Sequence, residues 1–404
     1  MTNVGGSVSA RSIRRPLWVR LVCAWADRIA IGRVTIRFPN GVWHVAQGAL
    51  SGPSASLNVR SPKLVWKLAS GGSLGFARAY IDGDWDTPDL GALLQLGIAN
   101  EAALSAILDA PGPVRLFTFL RHRLRANTRA GSRRNIAFHY DLGNEFYRLW
   151  LDKTMTYSSA LFQSEEQSLD DAQRAKYARI VEALEIGPDD HVLEIGCGWG
   201  GFAEYATTAT GCRVTGLTLS REQALFAQDR LAAARRSDKV DIRLEDYRDC
   251  AGRFDKIVSI EMFEAVGEKN WPVYFDAVRS LLKPGGRAMV QVITIADEHF
   301  AHYRRNADFI QTYIFPGGVL PSPSAFTAVA SERGLAVLDK HFFGGDYEKT
   351  LLAWEKTFVA TWRRIELLGF DDRFKRMWRY YLHYCAAGFR SGRIDVGQFL
   401  LARD

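Results

Sequence analysis

Residues 191–201 read HVLEIGCGWGG, an apolar strand pattern that runs into a glycine-dense turn ahead of a helical pattern. Glycines in such a turn let the backbone approach a ligand closely. The dinucleotide fingerprint needs Gly-x-Gly-x-x-Gly and an acid about twenty residues further on. Here Glu194 ends the strand pattern, and the next strand pattern ends in Thr218-Leu219-Ser220 without an acid. The spacing therefore favours a different nucleoside cofactor, and a tight turn that binds nothing is the alternative.

The segments around this turn alternate between strand and helix patterns. Strand, helix and strand in repeated succession predict a doubly wound, largely parallel sheet. Strands are predicted at His191–Ile195, Arg213–Leu217, Val240–Leu244, Lys256–Ile260 and Arg287–Thr294. Helices are predicted at segments such as Asp170–Leu184, Arg221–Ala234 and Trp271–Leu282. The fold class is therefore α/β and Rossmann-like, with a smaller, mostly helical N-terminal domain.

The first third of the chain differs from the rest in charge. Residues 1–135 carry 18 Lys and Arg against 7 Asp and Glu, a net charge of +11, whereas residues 136–404 carry −4. Apolar residues recur at helical spacing from Arg14 to Ile29 among arginines, which predicts an amphipathic basic helix. Asn40-Gly41 between two apolar segments predicts a β-hairpin. Residues 111–135 open with Pro-Gly-Pro and hold seven arginines and no acid, which predicts domains 1–125 and 126–404.

The composition excludes several classes of protein. The 404 residues are 47% hydrophobic and 24% charged, with a net charge of +7, unlike disordered or collagen-like chains. No apolar run approaches the roughly eighteen residues that span a bilayer. The five cysteines are scattered without disulfide or metal-ligand spacing, which predicts reduced thiols, no metal site and a cytoplasmic location.

The glycine turn resembles that of class I S-adenosylmethionine methyltransferases, and longer motifs resemble the cyclopropane fatty acid synthase family, which includes the mycolic acid methyltransferases. The most specific of these motifs is FPGGVLPS at residues 315–322. The others are IAFHYDLGNEFYRLWLDKTMTYSSALF at 136–162, GLTLS at 216–220, VSIEMFEAVG at 258–267 and the segment 385–401. The basic front domain also resembles the extra domain of the phospholipid-acting branch. The resemblance thus implies a class I methyltransferase sheet.

The same resemblance implies S-adenosylmethionine as the cofactor and assigns residues to it. Tyr157 and Ser158 would cap the cofactor, and glycines would line its methionine end. Residues after the second and third strands would hold the ribose and the adenine. The complete set is Tyr157, Ser158, Glu194, Gly196, Gly198, Gly200, Thr218, Leu219, Gln223, Asp246 and Tyr247. Ordinary structural roles are the alternative for several of them, such as a helix cap for Thr218 or a packed ring for Tyr247.

A proton-accepting site is also implied. Methylation of a cis alkene leaves a carbocation on the acyl chain, and ring closure requires a base to remove a proton from the transferred methyl. In the family this base is a bicarbonate ion held by a glutamate, a tyrosine, a cysteine and a histidine. Glu264 and Tyr347 match the first two, Ser159 and Gln291 replace the other two, and His139 lies near the site mouth. Because neither replacement titrates near neutral pH, the sequence leaves bicarbonate binding open.

The implied function is lipid C-methylation with S-adenosylmethionine, adding a methyl or methylene group to the cis double bond of unsaturated phospholipid acyl chains. A cyclopropane forms if the ring closes. A methyl-branched unsaturated or exomethylene chain forms if the proton is lost differently. The replacements Ser159 and Gln291 also keep open a catalytically silent lipid-binding protein. Nucleic-acid methylation is disfavoured, because residues 261–264 offer no catalytic loop of that kind.

The basic front domain predicts the place of action. Clustered cations suit anionic lipid headgroups, so we expect a cytoplasmic protein that associates peripherally with the inner membrane. The expected partner is an unsaturated phospholipid in the bilayer and not a nucleic acid, and a homodimer is compatible with the family. The alternative for the front helix is packing into its own domain.

Overall fold

The computed structural model describes residues 16–109 and 142–403. The chain divides into two compact units, Met1–Pro111 and Gly112–Asp404. The predicted boundary after residue 125, the arginine-rich segment around it and His139 all lie outside the described residues.

The described part of the smaller unit combines a four-stranded sheet with four helices. Its strands are β1 (Ile31–Arg37), β2 (Trp43–Gln47), β3 (Leu50–Val59) and β4 (Trp85–Asp86). Its helices are α1 (Leu17–Ala26), α2 (Lys63–Ile81), α3 (Leu90–Ala99) and α4 (Glu101–Leu108). The strand order is β2-β1-β3-β4, with β1 antiparallel to β2 and parallel to β3. The hairpin predicted at Asn40-Gly41 is confirmed. The strand β3 was not predicted from the sequence, because it contains Gly52 and Pro53, which are typical of turns.

The predicted basic helix is shorter than expected. α1 ends at Ala26, and β1 begins at Ile31. Val19 and Cys23 are buried, whereas Leu17 is 70% exposed. The helix therefore packs into its own unit through a face that includes the predicted Val22 but is shifted toward Val19 and Cys23, and it leaves Leu17 at the surface.

The larger unit is built on a seven-stranded sheet. Its strands are β5 (His191–Ile195), β6 (Arg213–Thr218), β7 (Val240–Leu244), β8 (Phe254–Ile260), β9 (Leu282–Ile295), β10 (Leu335–Phe342) and β11 (Ile394–Arg403). Among the described residues of this unit, the α-helices are α5 (Asn144–Arg148), α6 (Leu169–Ala183), α7 (Gly201–Thr210), α8 (Arg221–Ala233), α9 (Trp271–Leu281), α10 (Asp297–Tyr303), α11 (Pro323–Glu332), α12 (Gly344–Ala360), α13 (Trp362–Glu366) and α14 (Asp372–Arg390).

The strand order is β10-β11-β9-β8-β5-β6-β7. The pairs among β5 to β9 are parallel, and β11 is antiparallel to both β9 and β10. All five predicted strands are present, so the doubly wound α/β class is confirmed. The sequence did not predict β10 and β11, which complete the sheet beyond β9. A parallel sheet brings the carboxyl ends of its strands to one edge, where ligands bind in folds of this kind.

Helices pack on both faces of this sheet because the strand residues alternate between two cores. Leu193 and Val290 face a core with α9 and α11, which contains an edge-to-face pair of Phe263 and Tyr274. Val192 faces the other core, with α6 and α7. Fully buried aromatic rings thus fix the loop after β8 against the sheet.

One further property of the described residues concerns membranes. Within residues 16–109 and 142–403 no single helix has the length and apolar character needed to cross a bilayer. The bent pair α3 and α4 meets the length and composition requirement only when the two helices are taken together.

Candidate active site

The turn after β5 has the geometry of a ligand loop. β5 ends at Ile195, and α7 begins after glycines 196, 198 and 200, which all have positive φ. A Cβ on Gly196 would lie 2.9 Å from Met262 Cγ, so the close approach of these two loops requires glycine. At Gly198, φ is +51°, and no described atom beyond its chain neighbours lies within 4 Å of where a Cβ would be. Open space beside Gly198 is what a bound cofactor needs.

Glu194 is the acid at the end of β5. The residue is 3% exposed, and its Oε2 has no hydrogen-bond partner among the described residues. Burial raises the pKa of Glu194 well above its usual value, and the positive charge of Lys176 opposes this. A buried oxygen without a donor fits a hydrogen bond from a cofactor hydroxyl or amino group.

The end of β6 lies beside the glycine turn. The backbone N–H of Gly196 donates to Leu217 O at 3.0 Å. Thr218 Oγ1 donates to Gln223 Oε1 at 2.9 Å, and both side chains are buried. Leu219 is half-buried next to them. The structure thus brings together the three residues assigned to the ribose region, next to the loop assigned to the methionine end.

Asp246 and Tyr247 follow β7. The Asp246 carboxylate pairs with the Arg248 guanidinium, at 2.8 Å from Nε and 2.5 Å from Nη2. The Tyr247 ring packs edge-on against Tyr274 with ring centres 5.5 Å apart, and burial raises the pKa of Tyr247 to about 12. Asp246 therefore has a charge partner that the sequence analysis did not foresee, and contact with an adenine stays a prediction for both residues.

Tyr157 and Ser158 lie in the segment before α6. The Tyr157 hydroxyl is 2.9 Å from that of Tyr381, and its ring packs against Trp354. Ser158 Oγ accepts a hydrogen bond from Lys176 Nζ at 2.6 Å. These contacts fix the segment from both sides, and its position over the cofactor stays a prediction.

Three of the residues predicted to hold an anion meet at a fourth, Glu261. Its Oε1 accepts from the Ser159 backbone N–H and from Gln291 Nε2, both at 2.8 Å. Its Oε2 accepts from the Tyr347 hydroxyl at 2.6 Å. The Ser159 hydroxyl donates to Ala160 O, so its backbone, not its side chain, contacts the carboxylate. Glu261 was not among the residues predicted from the sequence, because a residue next to the end of a strand pattern gives no sign of where its side chain points.

The donors around Glu261 are themselves held in place. Gln291 on β9 stands opposite Gln398 on β11, and Gln398 Nε2 donates to Gln291 Oε1 at 3.0 Å. That bond turns the Gln291 NH₂ group toward Glu261. Tyr347 on α12 stacks on Phe389 with ring centres 4.5 Å apart. Burial, reinforced by the Glu261 charge, raises the pKa of Tyr347 well above its usual value and keeps its hydroxyl a donor.

Glu264 lies one short 3₁₀ turn beyond Glu261. Its Oε1 accepts from Ile293 N–H at 2.6 Å, and its Oε2 has no hydrogen-bond partner in the described part of the chain. Burial, together with the neighbouring Glu261 charge, raises the pKa of Glu264 to about 8. The carboxylate that accepts hydrogen bonds from Ser159, Gln291 and Tyr347 is thus that of Glu261 and not that of Glu264. The catalytic role of Glu264 stays a prediction.

Lys176 is a second residue near these carboxylates that the sequence did not predict. It is buried on α6, and burial lowers its pKa to about 7 against the attraction of Glu261, Asp152 and Glu194. A signal was available, because Lys176 lies four residues before Ile180 on the buried face of an amphipathic helix. A lysine in such a position needs nearby negative charge.

Comparisons with known proteins identify the family. Residues 127–399 match the family model described as mycolic acid cyclopropane synthetase. Over 375 residues the chain is 38% identical to the tuberculostearic acid methyltransferase of Mycobacterium tuberculosis, covering 89% of this chain and 86% of that protein. It is 37% identical over 375 residues to the cyclopropane-fatty-acyl-phospholipid synthase of Escherichia coli, covering 91% and 93%.

Solved structures give the same result for the fold. The mycolic acid cyclopropane synthase CmaA1, complexed with SAH and CTAB, aligns with a TM-score of 0.63 at 33% identity. The alignment covers 67% of this chain and 98% of that one. The cyclopropane synthase MmaA2 from Mycobacterium tuberculosis has the same TM-score at 30% identity. The sheet and the cofactor predicted from the glycine turn agree with these structures.

Proposed function

The chain belongs to the mycolic acid cyclopropane synthetase family of S-adenosylmethionine-dependent methyltransferases, and we propose that it methylates the cis double bond of unsaturated phospholipid acyl chains. The coarser statement, that it is a lipid methyltransferase, follows from its relatives. Methylation at a double bond is supported mainly by the Glu261 carboxylate, which accepts hydrogen bonds from three donors and could remove the proton that this reaction releases. Glu261 is next to Met262, which packs on the cofactor loop.

The residues around the glycine turn fit the cofactor. S-adenosylmethionine supplies an electrophilic methyl group on a sulfonium. The open space at Gly198 would take the methionine end, and the unpartnered oxygen of Glu194 would accept a hydrogen bond from it. The buried pair Thr218 and Gln223 would hold the ribose, at a strand end where nucleosides bind in such sheets.

The proposed substrate suits the aromatic side chains around Trp354. An alkene is a weak nucleophile, so the protein must contribute positioning and exclusion of water instead of activation. Methylation leaves a carbocation on the acyl chain, which aromatic faces stabilise. Trp354 packs against both Tyr157 and Tyr347, with ring centres 5.3 and 6.2 Å apart. Because Tyr347 also donates to Glu261, these rings adjoin a carboxylate able to take the proton.

Two products are compatible with this chemistry. Loss of the proton from the transferred methyl closes a cyclopropane. Ser159 and Gln291 in place of cysteine and histidine favour, as a second candidate, loss elsewhere to give a methyl-branched unsaturated or exomethylene chain. Both products require the same methyl transfer.

The substrate lies in a bilayer, and we assign docking to the smaller unit. Leu17, Trp43 and Trp66 of that unit are 70%, 64% and 76% exposed. Exposed tryptophans suit the interfacial region of a bilayer, and the net charge of +4 in residues 1–111, together with the seven arginines between residues 112 and 135, suits anionic headgroups. These features support peripheral association with a membrane.

Incubating the purified protein with dioleoyl or divaccenoyl phosphatidylglycerol vesicles and methyl-labelled S-adenosylmethionine is expected to place label in the acyl chains. Mass spectrometry and proton NMR identify the product. Upfield cyclopropane protons indicate ring closure, and vinylic or exomethylene protons indicate the second candidate. Absence of label from the lipid contradicts the proposed function.

Replacing Trp43 and Trp66 together with serine is expected to weaken binding to anionic vesicles by about tenfold, because two interfacial anchors are lost. Co-sedimentation with phosphatidylglycerol vesicles measures the effect. Leu367→Ser is the matched control, since Leu367 is 87% exposed on the larger unit. An equal loss in the control, or none in the double variant, contradicts docking through these tryptophans.

A further inference from the structure

Glu261 occupies the donors that the family resemblance assigns to a bicarbonate ion. We propose that the Glu261 carboxylate is the proton acceptor of the reaction and takes the place of bicarbonate in this protein. The inference rests on the proposed function, because only methylation of an alkene requires this proton to be removed.

Bicarbonate does not fit the site that the structure shows. The Ser159 backbone and the Tyr347 hydroxyl have one hydrogen each, and both are given to Glu261. Gln291 gives Glu261 one amide hydrogen, and its oxygen accepts from Gln398. A second anion would therefore find few donors and would lie against an existing carboxylate.

The backbone at Glu261 is specialised for this placement. Its φ is +50°, a left-handed conformation that residues with a side chain seldom adopt. The strained turn comes directly after β8, and the Glu261 N–H donates to Gln291 O at 2.8 Å. Such strain persists where the surroundings over-determine it, and it concentrates at functional sites. The turn directs the carboxylate back into the space between β9 and α12.

The charges around Glu261 favour its ionised form over that of its neighbour. Burial raises the pKa of Glu261, whereas the positive charge of Lys176 and the three donors oppose that rise, and Glu264 is the neighbouring acid. Glu261 has three donors, whereas Glu264 has one donor and an oxygen without a partner among the described residues. A single negative charge shared by the pair therefore resides on Glu261, and Glu264 is the protonated member at neutral pH.

The proposed step balances with this carboxylate alone. The alkene electron pair forms a bond to the methyl carbon as the bond from that carbon to sulfur breaks, leaving a thioether and a carbocation on the former double-bond carbon of the acyl chain. A C–H bond then breaks, its proton passes to a Glu261 oxygen, and its electron pair closes the ring or forms a new double bond. Proton release to water restores the carboxylate, so no co-reactant is needed.

The test combines bicarbonate depletion with substitution at Glu261. Wild-type activity is expected to be unchanged in bicarbonate-depleted buffer, whereas Glu261→Gln should lower turnover about 100-fold or more with S-adenosylmethionine affinity retained. Calorimetry measures the affinity and shows that the variant is folded. Glu298→Gln, at an exposed position on α10, is the matched control and should retain full activity.

Glu261→Gly adds a positive test, because glycine tolerates φ +50° and removes the carboxylate from its donors. Added bicarbonate or formate is expected to restore turnover in this variant by at least about tenfold. Wild-type activity that requires bicarbonate, or Glu261→Gln with near-normal turnover, overturns the inference. If the wild-type protein transfers no label to lipid, the proposed function fails instead, so the two failures are distinguishable.

Discussion

Gly198→Val is expected to weaken S-adenosylmethionine binding by about 100-fold, with the protein still folded. The reason is the open space beside Gly198, where no described atom beyond its chain neighbours lies within 4 Å of a Cβ. A valine side chain would meet the cofactor there and not the protein. Isothermal titration with S-adenosylmethionine and S-adenosylhomocysteine measures the loss.

The control must cause the same backbone strain as Gly198→Val at a glycine outside the cofactor turn. Gly392 also has a positive φ, +70°, and its Cβ position is likewise open. Gly392→Val should cost a similar amount of stability, about 1–2 kcal/mol, and leave cofactor affinity unchanged. Normal affinity in Gly198→Val contradicts the assignment of the glycine turn, and equal losses in both variants assign the effect to strain.

Glu264→Gln is expected to stabilise the protein at alkaline pH and to leave its stability unchanged near pH 4.5. The folded-state pKa of Glu264 is raised to about 8 from an ordinary 4.5, so the folded state retains a proton that the unfolded state releases between these values. In the wild-type protein, the contribution of Glu264 to the free energy of unfolding is thus fully present below pH 4.5 and is lost as pH rises toward 8. Glutamine carries no such penalty.

The full pKa difference sets a ceiling of about 5 kcal/mol on this gain, and partial solvation lowers the expected value to about 2 kcal/mol at pH 8.5. Unfolding followed at pH 5, 7 and 8.5 measures the trend, with Glu298→Gln as the exposed control. A gain that is the same at every pH contradicts the sign. Loss of turnover with normal cofactor affinity in the same variant would support the catalytic role predicted from the sequence.

Much of the central sheet is predictable from local pattern. β5 and β7 have the predicted ends, because short apolar segments between turn residues define buried parallel strands. β9 begins five residues before its predicted start, where Lys283, Pro284, Gly285 and Gly286 interrupt the apolar pattern. β11 carries Asp395 and Gly397 early in its sequence, and its antiparallel position depends on partners far along the chain. Long-range pairing leaves a weaker local signal than burial does.

The candidate site likewise has a part that is predictable from local sequence and a part that is not. Residues of the cofactor loop are predictable because their backbone conformation requires glycine at fixed spacing. The proton-accepting residue is not, because motif matching led to Glu264, whereas the left-handed φ of Glu261 turns that side chain onto Ser159, Gln291 and Tyr347. Glu261 and Glu264 are three positions apart in the connection after β8. Which of their carboxylates reaches the donors depends on backbone torsion angles and not on composition.

The hydrogen bond from Gln398 to Gln291 has a consequence for the order in which the protein becomes competent. These two residues are 107 positions apart and meet only when β11 pairs with β9. The strand ends assigned to the cofactor are contributed by a much more local part of the chain, so we expect them to assemble first during synthesis. The strand ends around the glycine turn would thus be in place before the amide facing Glu261 is oriented, and the proton-accepting site would be completed last.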